Sequence, residues 1–381
     1  MTILRDAGEV YVQGTTGSVP TRETTGWVER IHPESLGTIH RSPALSAGPY
    51  WPGGIAAHAN GSLYVTCGRW CHRLDADCRL IASRELPRDR PYNSLVILPD
   101  GCLVMKDFAG GTGVHAVPAG VRGSELCVLE PENLDIVSRH ELPEGSIARL
   151  SADVAPDGTP RVYVIGEHHA MRLRWDGTSL MPDEAWTIEY PRFPGQTFGW
   201  DAVLEGGSAW FLDNGEGTTA FGPSFHGKGT STSPLHLVRI PLEADNPEPE
   251  FLEVCGKPGG IIANPPAIDG TRRIAVGYDS GNGVMTAWRF GAPGEHEMIW
   301  LREQNQAGHM IVFPETGELM SYDFDDERGT EQCVVVDIES GAEKGSVAIN
   351  SPLQCVVFPA AGWNRDAYIT TFTTIARVFV E

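Results

Sequence analysis

The sequence predicts an all-β protein built from one repeated four-stranded unit, on three observations. The 381 residues include 44 glycines and 28 prolines, and long amphipathic helical patterns are absent. Apolar segments recur in pairs around tight turns that end in glycine, such as NG or DG, as in β-hairpins. Seven such turns follow one another at intervals of 40 to 64 residues, close to the roughly 40–50-residue period of a propeller blade. The predicted fold is a seven-bladed β-propeller, with eight blades as the alternative.

The seven turns mark the first hairpin of each predicted blade. Each turn ends in a glycine and separates two apolar strands. The glycines are Gly61, Gly101, Gly158, Gly206, Gly270, Gly317 and Gly362. In the clearest blade, SLVILPDGCLVMKDF supplies the first two strands and SELCVLEPENLDIVSRHELP the last two.

The two ends of the chain are predicted to share one blade. The N-terminal segment TGWVERIHPESLGTIHRSP has the pattern of a third and fourth strand with no inner strand before it. The C-terminal segment, from LQCVVF to ARVFVE, supplies inner strands. Combining the two would close the ring without leaving sheet edges, so that residues 1–381 form a single propeller domain.

Two connections exceed the length that the repeat requires, at about 107–123 and 213–234. Both follow the second strand of their blade. The second is rich in Gly, Ser and Thr and is too long for a hairpin turn. In propellers this connection lies on the face where ligands enter the central channel, and long loops without secondary structure are often functional. We therefore expect both loops to wall the channel mouth.

Charge and composition restrict the partners. The net charge is −21 and the sequence pI is about 4.9, whereas nucleic acids and anionic membranes require a basic surface. No apolar run approaches the roughly 18 residues of a membrane span, and the start, MTILRDAGEVYVQG, lacks a signal-peptide apolar region. We expect a soluble cytoplasmic protein, with reduced cysteines, that takes a small-molecule substrate and no nucleic acid or membrane partner.

Polar and aromatic residues at the strand ends are the candidates for chemistry at that mouth. Crowded carboxylates raise one another's pKa, which suits acid–base catalysis beside a histidine. The catalytic candidates are His309, Lys106, Arg149 and His168. His309 would act as the base, and Lys106 or Arg149 would stabilise developing negative charge. The substrate-binding candidates are Trp200, Phe108, Phe221, Phe225, His226, Asp201 and Gln354.

The same residue types also have a purely structural role in folds of this kind. An Asp or Asn at a strand end equally caps a turn through side-chain-to-backbone hydrogen bonds. The sequence contains no nucleotide, flavin or haem motif and no G-x-S-x-G nucleophile elbow. No redox or nucleotide cofactor is therefore expected.

The PDG turn followed by a strand such as LVM or VYV resembles the propellers of the gluconolactonase and regucalcin-like group, and those of the streptogramin-lyase type. The resemblance runs along most of the chain as a blade pattern. It implies a central-channel site with a divalent cation, Ca²⁺ or Mg²⁺, held by Asn, Asp and Glu oxygens. The positions in this chain that could play that part are Asn93, Glu167, Asp213, Asn264 and Asp279.

Three functions are consistent with this sequence. The first is metal-assisted hydrolysis of a lactone or ester by a metal-bound water. The second is a metal-independent lyase, isomerase or cyclase that uses His and carboxylate groups. The third is a non-catalytic scaffold, since many propellers only present a surface. An enclosed polar pocket would favour an enzyme, and a large exposed apolar patch would favour a scaffold.

Overall fold

The computed structural model describes residues 2–5, 8–16, 24–47, 52–110, 117, 119–218 and 221–380. Across these residues the long regular elements are all β-strands, and none is an α-helix. A helix long and apolar enough to cross a membrane is not found in this part of the chain. The strands form eight separate antiparallel sheets, each made of strands that follow one another in sequence. The fold is a β-propeller with eight blades.

The first four blades follow one another from the N-terminus. Blade 1 comprises β1 (Thr2–Arg5), β2 (Glu9–Thr15), β3 (Thr25–Ile31), β4 (Thr38–Arg41) and the short β5 (Leu45–Ser46), which pairs with β3. Blade 2 comprises β6 (Pro52–Ala57), β7 (Leu63–Cys67), β8 (Trp70–Leu74) and β9 (Leu80–Glu85). Blade 3 comprises β10 (Tyr92–Ile97), β11 (Leu103–Asp107), β12 (Glu125–Leu129) and β13 (Ile136–Glu141). Blade 4 comprises β14 (Ser151–Val154), β15 (Pro160–Ile165), β16 (His169–Trp175) and β17 (Leu180–Glu189).

The last four blades complete the chain. Blade 5 comprises β18 (Val203–Glu205), β19 (Ser208–Leu212), β20 (His236–Pro241) and β21 (Glu250–Glu253). Blade 6 comprises β22 (Ala267–Asp269), β23 (Ile274–Asp279), β24 (Val284–Phe290) and β25 (His296–Glu303). Blade 7 comprises β26 (Ile311–Phe313), β27 (Glu318–Asp325), β28 (Thr330–Asp337) and β29 (Glu343–Ala348). Blade 8 has three strands, β30 (Ala360–Ala361), β31 (Asp366–Thr370) and β32 (Ile375–Phe379).

The expectation of seven blades is wrong, and the alternative of eight is correct. The seven glycine turns mark blades 2 to 8, each between the first and second strands. The N-terminal sheet has the same first hairpin, which the count of seven turns leaves out. Its strands β1 and β2 meet around Gly8, which has a φ of 95°, a conformation that glycine adopts without steric cost.

The expectation that the terminal strands share one blade is also wrong. In the described residues, β1 to β5 pair only with one another, and β30 to β32 form a sheet of their own. The physical reason lies in LRDAGEVYV at the N-terminus. That segment supplies the inner strands that the outer pair β3–β4 needs, so the C-terminal strands are not required there.

The chain divides into two compact units. The first contains residues 1–167 and 171–184, and the second contains residues 168–170 and 185–381. Blades 1 to 3 belong to the first unit and blades 5 to 8 to the second, with the boundary passing through blade 4.

Burial follows strand position within a blade. The second and third strands are buried along nearly their whole length, as in β11 and β12 of blade 3. The fourth strands alternate or are exposed, as in β13 and β29. A β-bulge between the third and fourth strands recurs in blades 1, 2, 3, 6 and 7. Such bulges increase the local twist of the outer strand.

The eight cysteines are all free, and six of them are buried. Burial raises the pKa of the Cys67 thiol to about 12, and it raises the pKa of Cys71 and Cys355 further. Because the thiolate is the reactive form, these thiols are inert packing groups at neutral pH.

The two long connections join the second and third strands of blades 3 and 5, as their spacing predicted. The first runs between β11 and β12, and its residues 111–116 and 118 lie outside the described residues. Its Ala109 forms an isolated antiparallel bridge with Ser146. The second, residues 213–234, is called the strap below, and its residues 219–220 also lie outside the described part.

Candidate functional site

The candidate site lies where four segments of the second unit meet. Each segment leads into the first strand of a blade, and each of those strands is only two or three residues long. We call them lead-in segments: 197–202 of blade 5, 261–266 of blade 6, 304–310 of blade 7 and 351–359 of blade 8. Because their backbone is not in a sheet, its polar groups pair with side chains or with backbone outside the regular strand ladders.

His309 and Asp201 approach each other from the lead-in segments of blades 7 and 5. The distance from His309 Nε2 to Asp201 Oδ2 is 3.9 Å, and the two side chains are 17% and 7% exposed. This distance is longer than a direct hydrogen bond and within the range of an ion pair. The imidazole also packs on Phe358 of blade 8, with ring centroids 3.8 Å apart. A partly exposed histidine beside a carboxylate is a competent general base.

Three consecutive amide side chains fix the segment that carries His309. Gln304 donates through Nε2 to Ser321 Oγ at 2.8 Å and to the carbonyl of Tyr322 at 2.7 Å. Asn305 donates through Nδ2 to the carbonyl of Phe324 at 3.1 Å. Gln306 accepts the backbone N–H of Tyr322 at 2.7 Å. The sequence QNQAGH therefore anchors its first three side chains on blade 7 and leaves the histidine at the end.

Trp200 precedes Asp201 and joins blade 5 to the strap. Its indole Nε1 donates to the carbonyl of Gly215 at 3.2 Å, and its backbone N–H donates to the carbonyl of Leu212 at 3.1 Å. A β-carbon added to Gly215 would lie 2.1 Å from the indole Cδ1. The glycine is therefore required for this close approach.

The strap extends from blade 5 to the lead-in segment of blade 8. Gln354 donates its backbone N–H to the carbonyl of Pro223 at 2.8 Å and accepts the N–H of Phe225 through Oε1 at 2.9 Å. The same side chain donates through Nε2 to Asn305 Oδ1 at 2.8 Å. One buried glutamine thus connects the strap with the lead-in segments of blades 7 and 8.

Asp326, after the second strand of blade 7, provides a second attachment. Its carboxylate accepts Ser224 Oγ at 2.8 Å and Asn305 Nδ2 at 3.1 Å. His226 Nδ1 lies 2.8 Å from Asp326 Oδ2, with both side chains about half exposed. This exposed pair contributes little to stability by itself.

The aromatic residues of the strap pack beside these segments. Phe225 is buried with Ile261, Ala263 and Ala307. Phe221 is partly buried against the same cluster and contacts Phe225, with ring centroids 5.0 Å apart. The strap therefore supplies an apolar wall next to the lead-in segments of blades 6 and 7.

The carboxylates expected to hold a metal are used by internal hydrogen bonds. Asp213 accepts the N–H of His236 at 2.7 Å through Oδ1, and its Oδ2 contacts His236 Nδ1 and Gln196 Nε2, each at 2.8 Å. Burial raises the pKa of the Asp213 carboxyl, against the opposing effect of His236. Asp279 accepts the N–H groups of Gly281 and Asn282 at 3.0 and 3.1 Å. Both carboxylates thus stabilise turns.

No group of three or more His, Cys, Asp or Glu side chains suited to hold a metal occurs among the described residues. The oxygens of Asp213 and Asp279 accept hydrogen bonds as described. Asn264 donates both N–H groups of its amide to carbonyl groups, and its Oδ1, the atom that would bind a cation, has no hydrogen-bond partner among the described residues. Ca²⁺ or Mg²⁺ binding stays a prediction for elemental analysis.

The remaining candidates are described by their own surroundings. Lys106 is fully buried in the first unit, where its Nζ donates to the carbonyls of Ser146 at 2.7 Å and Asp107 at 3.0 Å. Asn93 donates to the carbonyl of Ile147 at 2.8 Å. Phe108 is buried, Arg149 and Glu167 are partly buried, and His168 is exposed. In the second unit, the geometry brings together His309, Asp201, Trp200, Asn264, Gln354, Phe225 and Phe221.

Sequence reasoning missed Gln304, Asn305, Gln306, Tyr278 and Phe358. None belongs to a motif, and amides near a strand start are ordinary turn residues in a sequence. The available signal was the run QNQ directly before an alanine, a glycine and a histidine. Three adjacent amides in an otherwise buried segment indicate a backbone that needs side-chain partners.

Comparison with known proteins shows the fold and no family. No protein-family model and no curated protein matches the chain. Among solved structures, a Bacteroides fragilis protein named as a 6-phosphogluconolactonase matches with a TM-score of 0.57 and 10% identity, covering 92% of this chain and 97% of its own. The periplasmic gluconolactonase of Pseudomonas aeruginosa matches with a TM-score of 0.54 and 12% identity, over 91% and 98% of the two chains. Kuenenia stuttgartiensis hydrazine synthase matches with a TM-score of 0.54 and 9% identity, over 86% and 95%.

Proposed function

We propose that this protein is a small-molecule hydrolase that opens a lactone or ester at the lead-in segments of the second unit. The observation that carries the proposal is the His309–Asp201 pair, with 3.9 Å between Nε2 and Oδ2, on anchored segments. Two structural neighbours are named as lactonases, and they support this choice among hydrolytic reactions.

In the proposed reaction, His309 removes a proton from a water molecule as the water oxygen attacks the carbonyl carbon of the lactone. The ring C–O bond then breaks, and the imidazolium returns the proton to the leaving alkoxide. Asp201 stabilises the imidazolium charge that forms between these steps. Phe358, which packs on the imidazole, limits its rotation. No step passes through a metal.

Nearby groups are suited to bind an uncharged ring. Phe221 and Phe225 provide apolar contact area next to the lead-in segments. Trp200 has its indole N–H committed to Gly215, so any contact of its ring with a ligand would be apolar. A few polar groups beside apolar walls are typical of small-molecule sites.

The test is hydrolysis of a panel of five- and six-membered lactones and nitrophenyl esters by the wild-type protein, D201N and the control D245N. Asp245 is exposed and lies in the connection between β20 and β21, outside the lead-in segments and the strap. We expect turnover by the wild type and by D245N, and a loss of about 10²-fold or more in D201N. Absence of turnover of the whole panel by the wild type, or full activity in D201N, would overturn the proposal.

A further inference from the structure

Asn264 connects two of the lead-in segments through one side chain. It is fully buried in the lead-in segment of blade 6. Its Nδ2 donates to the carbonyl of Ala307 at 2.7 Å and to the carbonyl of Val356 at 3.1 Å. Ala307 belongs to blade 7 and Val356 to blade 8, so both hydrogens of one amide are used to hold neighbouring segments together.

These two carbonyls lie close in sequence to His309, the proposed base, and to Phe358, which packs on it. Ala307 lies two residues before His309, and Val356 lies two residues before Phe358. The rings of His309 and Phe358 pack at a centroid distance of 3.8 Å. The separation of the two backbones, which the Asn264 amide sets, therefore determines whether the rings can meet.

Tyr278, on the second strand of blade 6, supports Asn264 from behind. Its hydroxyl donates to the carbonyl of Asn264 at 2.8 Å and lies 3.4 Å from the carbonyl of Ala307. Burial raises the pKa of this phenol well above its usual value. The hydroxyl therefore remains a neutral donor at every pH at which the protein would be assayed.

Gly308 lies at a closely packed position of the lead-in segment of blade 7, next to His309. A β-carbon at this position would lie 2.9 Å from the Tyr322 ring and 2.9 Å from the carbonyl of Cys355. Such distances are shorter than real contacts allow, so the segment has no room to shift toward blade 8. A change at Asn264 would thus be transmitted to His309 and not absorbed by free space.

We propose that Asn264 is a positioning residue, whose amide holds the backbones at Ala307 and Val356 and so orients the imidazole of His309 on Phe358. The inference rests on the proposed function, since it assigns Asn264 a part in the same reaction. It predicts that the geometry of His309 depends on a side chain that does not contact it.

The test compares N264D with the wild type, and N364D serves as the matched control. Asp is isosteric with Asn but has no N–H groups for the two carbonyls, whereas Asn364 is an exposed residue of blade 8. The readout is the proton NMR signal of the His309 Cε1–H, assigned by its absence in H309Q. The contribution of the Phe358 ring current to this chemical shift is measured by comparing the wild type with F358L.

We expect the His309 signal of N264D to move toward its position in F358L, and the signal of N364D to stay at the wild-type position. With a hydrolysed lactone, kcat should fall about 10²-fold in N264D while KM changes little, because misplacement of a catalytic group affects the chemical step. An unchanged His309 signal and unchanged kcat in folded N264D would overturn the inference.

If N264D does not fold, Y278F gives the second test, since it removes the hydroxyl that supports Asn264. A smaller shift of the His309 signal in the same direction supports the inference, and no shift overturns it. The NMR readout needs no substrate, so the two proposals fail separately. A shifted signal together with a wild-type protein inactive on every lactone and ester would overturn the proposed function and leave the positioning role standing.

Discussion

Glu331, on the third strand of blade 7, has a carboxyl group that is buried from solvent. It is fully buried, and its oxygens accept the backbone N–H groups of Gln332, at 3.1 Å, and Cys355. Desolvation outweighs these bonds and raises the pKa of Glu331 to about 8. The group is therefore mostly protonated in the folded protein at neutral pH and ionised in the unfolded chain.

This difference predicts how stability depends on pH. Between the unfolded pKa, near 4.5, and about 8, the folded state binds one proton more than the unfolded state. The free energy of unfolding contributed by Glu331 is thus largest below pH 4.5 and falls with rising pH by about 1.4 kcal/mol per unit until about pH 8.

E331Q should remove that slope. Urea unfolding of the wild type and E331Q between pH 5 and pH 9 measures it, with E327Q, at an exposed turn residue, as the control. We expect the free energy of unfolding of E331Q, relative to that of the wild type, to increase from pH 5 toward pH 8. The free energy of unfolding of E327Q should follow that of the wild type at every pH. Parallel curves for all three proteins would contradict the assignment of this pKa.

At the residue scale, the sequence indicated where polar groups gather but not which of them face one another. Asp213 follows a strand of blade 5 and Asp201 precedes one, and the sequence alone does not distinguish their roles. Only the fold shows that Asp213 is occupied by His236 and Gln196, while Asp201 lies near His309. Such assignments depend on hydrogen-bond partners distant in sequence, which no local pattern specifies.

At the scale of elements, the strap is held by contacts at Gln354, Asp326 and Trp200. Its position after the second strand of blade 5 could be predicted because an insertion lengthens a regular repeat. Its partners could not, because hydrogen bonds from residues 223–226 reach residues 100 or more positions later. The same holds for the lead-in segments, whose irregular backbone has no periodic signal.

Gly215 offers a test of the strap. G215A would place a β-carbon 2.1 Å from the Trp200 indole, so the ring or the strap must move, at a cost of about 1–3 kcal/mol. We expect reduced thermal stability and reduced lactone turnover, since Trp200 adjoins Asp201. G345A is the control, because its β-carbon would meet no atom within 4 Å. Equal melting temperatures and rates for G215A and G345A would show that this contact does not hold the site.

At the scale of the whole molecule, the repeat identified the fold class and undercounted the blades. Blades 2 to 8 each carry one of the seven counted glycine turns. Blade 1 also has a glycine turn, at Gly8, but this turn follows a strand of only four residues and was not counted. Blade 8 was counted from its turn at Gly362, and it has three strands in the described part of the chain.

The net charge of −21 predicts a preference among substrates. A negative protein repels anionic ligands over distances of roughly a Debye length, about 10 Å at 0.1 M salt. We expect a higher kcat/KM for an uncharged lactone than for its phosphorylated analogue at low ionic strength. The ratio of kcat/KM for the uncharged lactone to kcat/KM for the phosphorylated one should decrease as the salt concentration is raised to 1 M. A preference for the phosphorylated lactone at low salt would contradict this prediction.

The decisive measurement is the pH dependence of kcat/KM for an uncharged lactone in the wild type, H309Q and H296Q. His296, an exposed histidine on the fourth strand of blade 6, serves as the control. We expect the wild-type rate to fall at low pH as the base becomes protonated, and H296Q to show the same profile. H309Q should be at least about 10²-fold slower and should lack that pH dependence. A profile in H309Q that coincides with the wild type would contradict the assignment of His309 as the base.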